Sequence, residues 1–570
     1  MARVVDERDA AARDPLAEAR NGTAPSPSSR HSVPLRASTV QGPGFSDLAP
    51  ERAGEYHARA VGRVSRKLVL SVLATVILNL SAPARAADLA GGVGDAWGPR
   101  YDVAPQLLGT PGHRPRPGVD SVRHWNEVAI NASGLDHTPV APGEGRVFGE
   151  QFGPTRASRA MAIVHIAVFD AVNAIAGGYR SYTGLRPAPN DASMDAAIAQ
   201  AAHDTLAALF PSQAASFDTL LGEELGKIPE GRAKRNGIDL GQRAAAAILA
   251  LRADDGSQRA EPRIGFEYIP SDQPGKWRQD PISQIPIALG AYWGLVKPFV
   301  LESSDQFRTP PPPALTSPEY AAAFDDVKAI GGDGIVTPTV RAMEQTEIAI
   351  YWAYDGTPSM CAPPRLYNQI TMHIADQMGS NVVQVARLLA LVNIAMADAG
   401  IAVWESKYYY ELWRPITGIR ESDEGTGPTG LGDGNAATVG DPAWTPIGAP
   451  ASNLAGPNFT PPFPAYPSGH AGFGGALFQT LRNFYGTDDI AFTFVSDELN
   501  GVTVDNQGNT RPLVPRSFSS LSQAEQENGQ SRIYLGIHWL FDKTEGIAQG
   551  RRVADYVFQN AFVPLHPPRR

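Results

Sequence analysis

The sequence predicts an all-α protein made of helical bundles, read as two four-helix-bundle-like units, with long connecting loops. Three observations carry that prediction. Long segments repeat apolar residues at helical spacing. Alternating runs of strand type are short, and Val/Ile/Thr clusters are interrupted by proline. Gly- and Pro-rich stretches, long enough to be functional connections, separate the helical segments.

The elements follow in order. Residues 88–120 are rich in Gly and Pro and form an extended arm. Ser121 is the expected N-cap of a helix in which Val122, Trp125, Val128 and Ala129 share a face. Residues 158–175 are apolar almost all round, the mark of a buried helix. Residues 194–209 and 233–254 are Ala-rich with helical spacing, and 255–317 form an irregular connection. Helices are expected over 340–354, 382–410, 470–485, 524–534 and 544–562, with a long loop over 421–467 and a loop or hairpin over 502–517. No internal repeat has a clear period.

The apolar run from Leu68 to Leu80 follows Arg63, Arg66 and Lys67 and precedes Ala84-Arg85-Ala86. This order is that of a secretory signal peptide, with an uncleaved anchor or a buried helix as the alternative. Residues 1–60 are rich in Arg, Pro, Ser and Ala with little apolar patterning, so they form either a disordered extension or a stretch upstream of a true start near Val61 or Val64. The expected organisation is therefore 1–60 extension, 61–86 signal peptide, 87–120 arm, 121–317 N-terminal bundle and connection, and 318–570 C-terminal bundle. A cleaved leader implies a secreted or periplasmic protein that keeps no membrane anchor.

The formal charge of −10 argues against nucleic acid as a partner. It leaves room for a small basic pocket within an acidic protein. Cys361 is the sole cysteine, which excludes an intrachain disulfide and a Cys-rich metal site and is expected to be a small buried hydrophobe.

Three segments carry chemistry. In WESKYYYELWR, Lys407 and Arg414 lie seven apart, a spacing that puts both on one helix face, with Trp404 one turn before Lys407. The bland alternative is a solvated face with snorkelling charges. In FPAYPSGHAGFGG, Ser468 and Gly469 stand at the start of a helix whose N-terminus favours an anion, with His470 beside them. In SRIYLGIHWLFD, Arg532 and His538 are close, and Asp542, four residues on, either orients the imidazole of His538 or only pairs with it on a helix surface. Each segment alone is ordinary. Together they supply three cations, a helix N-terminus and two histidines, a set that cages a multiply charged tetrahedral oxyanion, vanadate or phosphate alike. His165, within an apolar helix, is expected to be a satisfied core histidine.

Lys-x6-Arg-Pro, Pro-Ser-Gly-His and Ser-Arg-x5-His, in that order, resemble the motif of the vanadium-dependent haloperoxidases, shared with the type-2 phosphatidic acid phosphatase superfamily. Ala353–Gly356, Pro363–Ile370, Pro461–His470 and Glu498–Val502 resemble the fungal vanadium chloroperoxidases more closely. The resemblance is specific over 340–545, general over 120–270, and does not reach residues before about 100. It implies a peroxidase that oxidises chloride or bromide with hydrogen peroxide to hypohalous acid on bound vanadate, leaving open whether a small organic substrate takes part. It implies that His538 binds vanadium and that His470 acts as acid/base at the opposite apex. Lys407, Arg414, Arg532, Ser468 and the Gly469 amide would hold the equatorial oxygens, with Lys407 polarising the peroxide and Asp355 pairing with Arg532. Trp404 and Phe463 would line the halide pocket. The competing readings are a phosphatase working through a phosphohistidine on His538 and an oxyanion-binding protein without turnover. Halide preference and oligomeric state are not fixed by the sequence.

Overall fold

The computed structural model describes residues 116–189 and 191–566. The expectations for residues 1–60, the leader and most of the arm fall outside them.

Thirteen α-helices, two short 3-10 helices (Pro211–Gln213 and Trp293–Leu295) and one two-stranded antiparallel sheet account for the regular structure among the described residues. The first group comprises α1 (Val119–Asp136), α2 (Gly153–Ala176), α3 (Met194–Leu209), α4 (Ala214–Gly226) and α5 (Arg232–Arg252). After a long irregular stretch come α6 (Pro318–Ile330), α7 (Met343–Tyr351), α8 (Pro364–Gln377), α9 (Val382–Tyr410) and α10 (Pro415–Arg420). A second long connection leads to α11 (Gly469–Tyr485). The hairpin of β1 (Phe492–Asn500) and β2 (Leu513–Phe518) follows, then α12 (Leu521–Tyr534) and α13 (Leu540–Asn560).

The chain forms these helices where local signals agree. Ser193 caps α3 by accepting from the Ala196 amide, and Ser520 caps α12 by accepting from the Gln523 amide. A reciprocal Asn381–Gln384 capping box starts α9. α2 and α9 are long and apolar enough to cross a membrane, yet their apolar stretches are buried among other helices, as core helices require. α9 is the central element. It packs on α2 on one side and on α11 and α13 on the other. α3 and α5 pair with each other and with α2.

Glycine permits the closest helix contact. A Cβ on Gly550 of α13 would lie 2.0 Å from the Gly472 carbonyl oxygen of α11, and one on Gly546 would lie 2.6 Å from the Ser468 carbonyl oxygen. The Ser468 amide donates to the Asp542 carbonyl oxygen at 2.9 Å. The N-termini of α11 and α13 are thereby held side by side, which matters for the site described next.

The boundaries depart from expectation at several points. α1 begins at Val119 with Gly118 as N-cap, so Ser121 lies inside the helix, buried and without a hydrogen-bond partner for its hydroxyl. α7 is shorter than 340–354, because Thr339 and Arg341 turn back on the end of α6 and Tyr354 takes a left-handed conformation with φ 45°. Helices α4, α6, α8 and α10 carry no sequence expectation. β1 was also unforeseen: its alternation is broken by Ser496, Asp497 and Glu498, which are engaged in hydrogen bonds.

Candidate active site

The seven cage residues come together at the N-termini of α11 and α13, beneath the C-terminal end of α9. Lys407, on the last turn of α9, is fully buried, and its ammonium donates to the carbonyl oxygens of Pro464 (2.7 Å) and Ala465 (2.9 Å). It also lies 5.7 Å from the Trp404 ring centre and 5.1 Å from that of Phe463. Burial, reinforced by Arg414, pushes its pKa well below the usual lysine value.

Arg414 is not on the same helix face as Lys407. α9 ends at Tyr410, Glu411 turns left-handed with φ 55°, and Arg414 caps the new helix opened by Pro415 in an extended conformation. The reversal, not helical periodicity, brings the two cations together. Neither charge is solvated, so the snorkelling alternative fails as well. The guanidinium of Arg414 donates to the carbonyl oxygens of Phe463 (2.9 Å) and Ile537 (2.8 Å). Burial lowers its pKa to about 9.

Pro461–Ala465 explains why these carbonyls are available. Prolines at 461, 462 and 464 have no N–H, so the segment cannot form a ladder or helix. Its carbonyl oxygens therefore form a collar of acceptors for the two cations.

Arg532, from α12, is paired with Asp355 through two contacts of 2.6 and 3.0 Å. Its Nε is buried and has no hydrogen-bond partner. Ser468 caps α11, its hydroxyl accepting from the Ala471 amide at 3.4 Å, and the Gly469 amide is at N1, where no intrahelical acceptor exists. A Cβ on Gly469 would lie 3.1 Å from the Trp404 ring, and one on Gly290 would lie 2.3 Å from it. These two glycines make the slot that holds the indole, whose Nε1 donates to the Leu289 carbonyl.

The two histidines have their tautomers set by their neighbours. His538 Nδ1 lies 2.8 Å from Asp542 Oδ2, an oxygen that already accepts from the Trp539 amide, and Nε2 lies 2.9 Å from Arg414 Nη1, which can only donate. Hence Nδ1 carries the proton and Nε2 a lone pair. Burial and then Arg414 and Lys407 hold the ring neutral, with a pKa well below the usual histidine value. His470 Nε2 donates to the Ala353 carbonyl oxygen at 2.5 Å, which leaves Nδ1 as the ring's acceptor. Burial first, and Arg532 next, lower its pKa to about 3. Burial raises that of Asp542 to about 7.

A cavity of about 360 Å³ opens above this floor and is lined by His470, His538, Arg532, Asp355, Trp404 and Phe463, among others. Lys407, Arg414 and Ser468 stand behind that lining. Trp404 and Phe463 pack together with ring centres 4.9 Å apart.

Several supporting residues were not singled out from sequence. Glu498 is buried and accepts from the Tyr354 amide and from Ser452, and pairs with Arg511, which fixes the residue preceding Asp355. Tyr367 and Asn528 both donate to the His470 carbonyl oxygen, at 3.2 and 3.0 Å. Glu498 and Tyr367 fall in the segments ELNGV and PPRLYNQI, which offered a signal; Asn528 had none. His165 is buried as expected but not satisfied, since neither ring nitrogen has a hydrogen-bond partner, and burial lowers its pKa to about 3. Cys361 is buried and also polar in its contacts, with Sγ 2.8 Å from Ser133 Oγ.

The family model for the second helical-bundle domain of VCPO matches residues 387–565. A vanadium chloroperoxidase from Curvularia inaequalis is 32% identical over 503 residues, covering 73% of this chain and 78% of that protein. Among solved structures, a bacterial vanadium-dependent iodoperoxidase shares the fold at a TM-score of 0.61 and 24% identity, over 81% of this chain and 100% of the other. A holo-type bacterial vanadium-dependent chloroperoxidase does so at 0.53 and 16%, over 74% and 95%.

Proposed function

The chain belongs to the vanadium-dependent haloperoxidases, and from that premise we propose that it oxidises chloride or bromide with hydrogen peroxide to hypohalous acid. Vanadate is the cofactor, and the residues present fit it. Lys407 and Arg414 are buried cations whose direct partners are carbonyl oxygens and an imidazole, and Arg532 keeps a buried N–H without an acceptor. Buried charge and orphaned donors of this kind are destabilising unless an anion answers them.

His538 would hold vanadium through Nε2, with Lys407, Arg414, Arg532, Ser468 and the Gly469 amide around the oxygens. When bound, vanadate supplies Lewis-acid activation of peroxide while keeping its oxidation state. The protein's part is to orient and to move protons. Asp542 keeps His538 in the Nδ1–H tautomer, and Asp355 keeps Arg532 facing the cavity. His470, neutral at physiological pH, takes up a proton at Nδ1 and returns it. Lys407 donates hydrogen bonds, and Trp404 with Phe463 gives a chloride or bromide ion a weakly hydrated aromatic wall.

The observation that carries this reading is the neutral, singly oriented His538 set among three cations. The same unprotonated Nε2 also suits a nucleophile towards phosphorus, which keeps a phosphatase as the second reading. The deciding experiment measures peroxide-dependent bromination and chlorination of a phenolic dye with and without vanadate, beside hydrolysis of an aryl phosphate. Vanadate-dependent halogenation is expected. Its absence from vanadate-loaded protein, with phosphatase turnover in the vanadate-free form, would reverse the ranking.

A further inference from the structure

Trp404 and Phe463, the aromatic wall of the cavity, come from distant parts of the chain, and a short stretch from a third part joins them. The Leu289 carbonyl oxygen accepts from Trp404 Nε1 at 3.1 Å and from the Tyr408 hydroxyl at 2.9 Å. The Leu289 amide donates to the Pro462 carbonyl oxygen at 2.9 Å, one residue before Phe463. Gly290 takes φ 76°, and its missing side chain leaves the space that the indole fills. The indole N–H is thus spent on the backbone, and the indole's place is set by where the Leu289–Gly290 peptide lies.

That peptide is itself gripped from its other end. Pro262 keeps Glu261 extended. Residues 262–264 then run antiparallel to 286–288: the Ala288 amide donates to the Pro262 carbonyl oxygen and the Ile264 amide to that of Pro286, both at 2.9 Å. This register brings Glu261 beside Gly290, and Glu261 Oε2 accepts from the Gly290 amide at 2.5 Å. Oε1 pairs with Arg156 of α2, and both side chains are 15% exposed. Arg156 is fixed in turn, donating to the Arg259 carbonyl oxygen at 2.6 Å and lying 5.3 Å from the Trp293 ring centre. In a trans peptide the N–H and the C=O point in opposite directions. Glu261 therefore holds one end of this peptide, while Trp404 and Tyr408 hold the other. A neutral acceptor would satisfy the Gly290 amide. A carboxylate makes a bond roughly twice as strong, and it polarises the peptide so that the carbonyl accepts more strongly. Without that bond, the glycine offers little resistance to rotation of the peptide, and the anchor of the indole rotates with it.

We propose that Glu261 is a positioning residue for the halide wall: through the Leu289–Gly290 peptide it fixes Trp404 and the collar before Phe463, and it thereby sets the discrimination between chloride and the larger halides. This rests on the haloperoxidase reading. Of chloride, bromide and iodide, chloride is the smallest and the most strongly hydrated. It gives up the most hydration on entering the cavity and depends most on fixed contacts there. A loosened indole costs chloride most and iodide least.

The test compares full-length, vanadate-loaded native protein with Glu261→Gln, which keeps an uncharged acceptor, and Glu261→Ala, which removes it. The indole N–H resonance of Trp404, identified in isotope-labelled protein by its loss in Trp404→Phe, reports the bond to Leu289 without turnover. It should move upfield in Glu261→Ala and by less in Glu261→Gln. The chloride KM should rise about tenfold in Glu261→Ala and about threefold in Glu261→Gln, with the iodide KM and every kcat within about twofold of native. Arg156→Met breaks the ion pair but leaves the acceptor of the Gly290 amide. It should lower the melting temperature and keep the chloride-to-iodide ratio nearer to native than Glu261→Ala does. A Trp404 resonance at its native position in Glu261→Ala, equal KM increases for chloride and iodide, or a ratio changed as much by Arg156→Met as by Glu261→Ala would overturn the proposal. A native protein that oxidises no halide, with its resonance still moved in Glu261→Ala, would sink the haloperoxidase reading and overturn the link to selectivity with it.

Discussion

Replacing Asp542 by Asn separates geometry from charge at His538, the proposed vanadium ligand. In the native protein, Asp542 Oδ2 accepts from both His538 Nδ1 (2.8 Å) and the Trp539 amide (3.0 Å). An Asn carbonyl oxygen in the same place keeps both hydrogen bonds and loses only the negative charge. A hydrogen bond to a charged acceptor exceeds a neutral one by about 1 kcal/mol, so Asp542→Asn should bind vanadate about five- to tenfold more weakly. Asp542→Ala loses both bonds and frees the ring, and should weaken binding about 100-fold, the upper range for removing such a supporting group. The native carboxyl has its pKa raised to about 7 by burial. The assisting form is the carboxylate, so native affinity should decline as pH falls through about 7 and approach that of Asp542→Asn, whose own profile lacks this step. The assay titrates vanadate into vanadate-free protein and follows bromination rate and tryptophan fluorescence together. Equal affinities for native protein and Asp542→Asn at pH 8, with Asp542→Ala strongly impaired, would show that charge plays no part. Native affinity in Asp542→Ala would remove the orienting role altogether.

Asp355→Ala leaves Arg532 buried and unpaired, and should destabilise the protein by about 3–5 kcal/mol in urea unfolding; a loss below about 1 kcal/mol would mean the pair is not buried as described. Gly469→Ala places a methyl group 3.1 Å from the Trp404 ring, and overpacking of about 1–3 kcal/mol should displace the indole and raise the halide KM several-fold with little change in melting temperature. His470 is neutral in the folded protein, with its pKa lowered from 6.5 to about 3. Its stabilising contribution is therefore present above 6.5 and lost as pH falls towards 3. Between pH 7 and pH 5 the vanadate-free native protein should lose about 2 kcal/mol more than His470→Gln does, as measured by urea unfolding; equal losses would refute the neutral assignment.

Much of the fold was legible because long apolar helices announce themselves. Residues 194–209 and 382–410 have the predicted limits, since a Ser or Asn cap and a full apolar stretch agree there. α4, α6 and α8 are short and carry mixed surfaces, and β1 is interrupted by polar residues tied to the site, so periodicity was silent on them. The cage was legible as a set of residue types in a fixed order. Its geometry was not: Lys407 and Arg414 meet through the left-handed turn at Glu411, which no seven-residue spacing encodes. Nor does composition tell that Gly546 and Gly550 let α13 touch α11, or that Gly290 makes room for Trp404. Those are contacts between distant parts of the chain, and single glycines in sequence carry no sign of what lies against them.

The carbonyl collar of Pro461–Ala465 ties the two cations to a segment that has little structure of its own. Because its prolines cannot join a ladder, the segment keeps only isolated backbone bonds to the rest of the chain, Leu289 N–H to the Pro462 carbonyl and Ala465 N–H to the Leu412 carbonyl, and is otherwise held by the same lysine and arginine it holds. Scaffold and charge array are thus mutually dependent, like the stones of an arch. Opening that one stretch would release Lys407 and Arg414 together, so the oxyanion site should vanish in a single local event well before the helices around it melt.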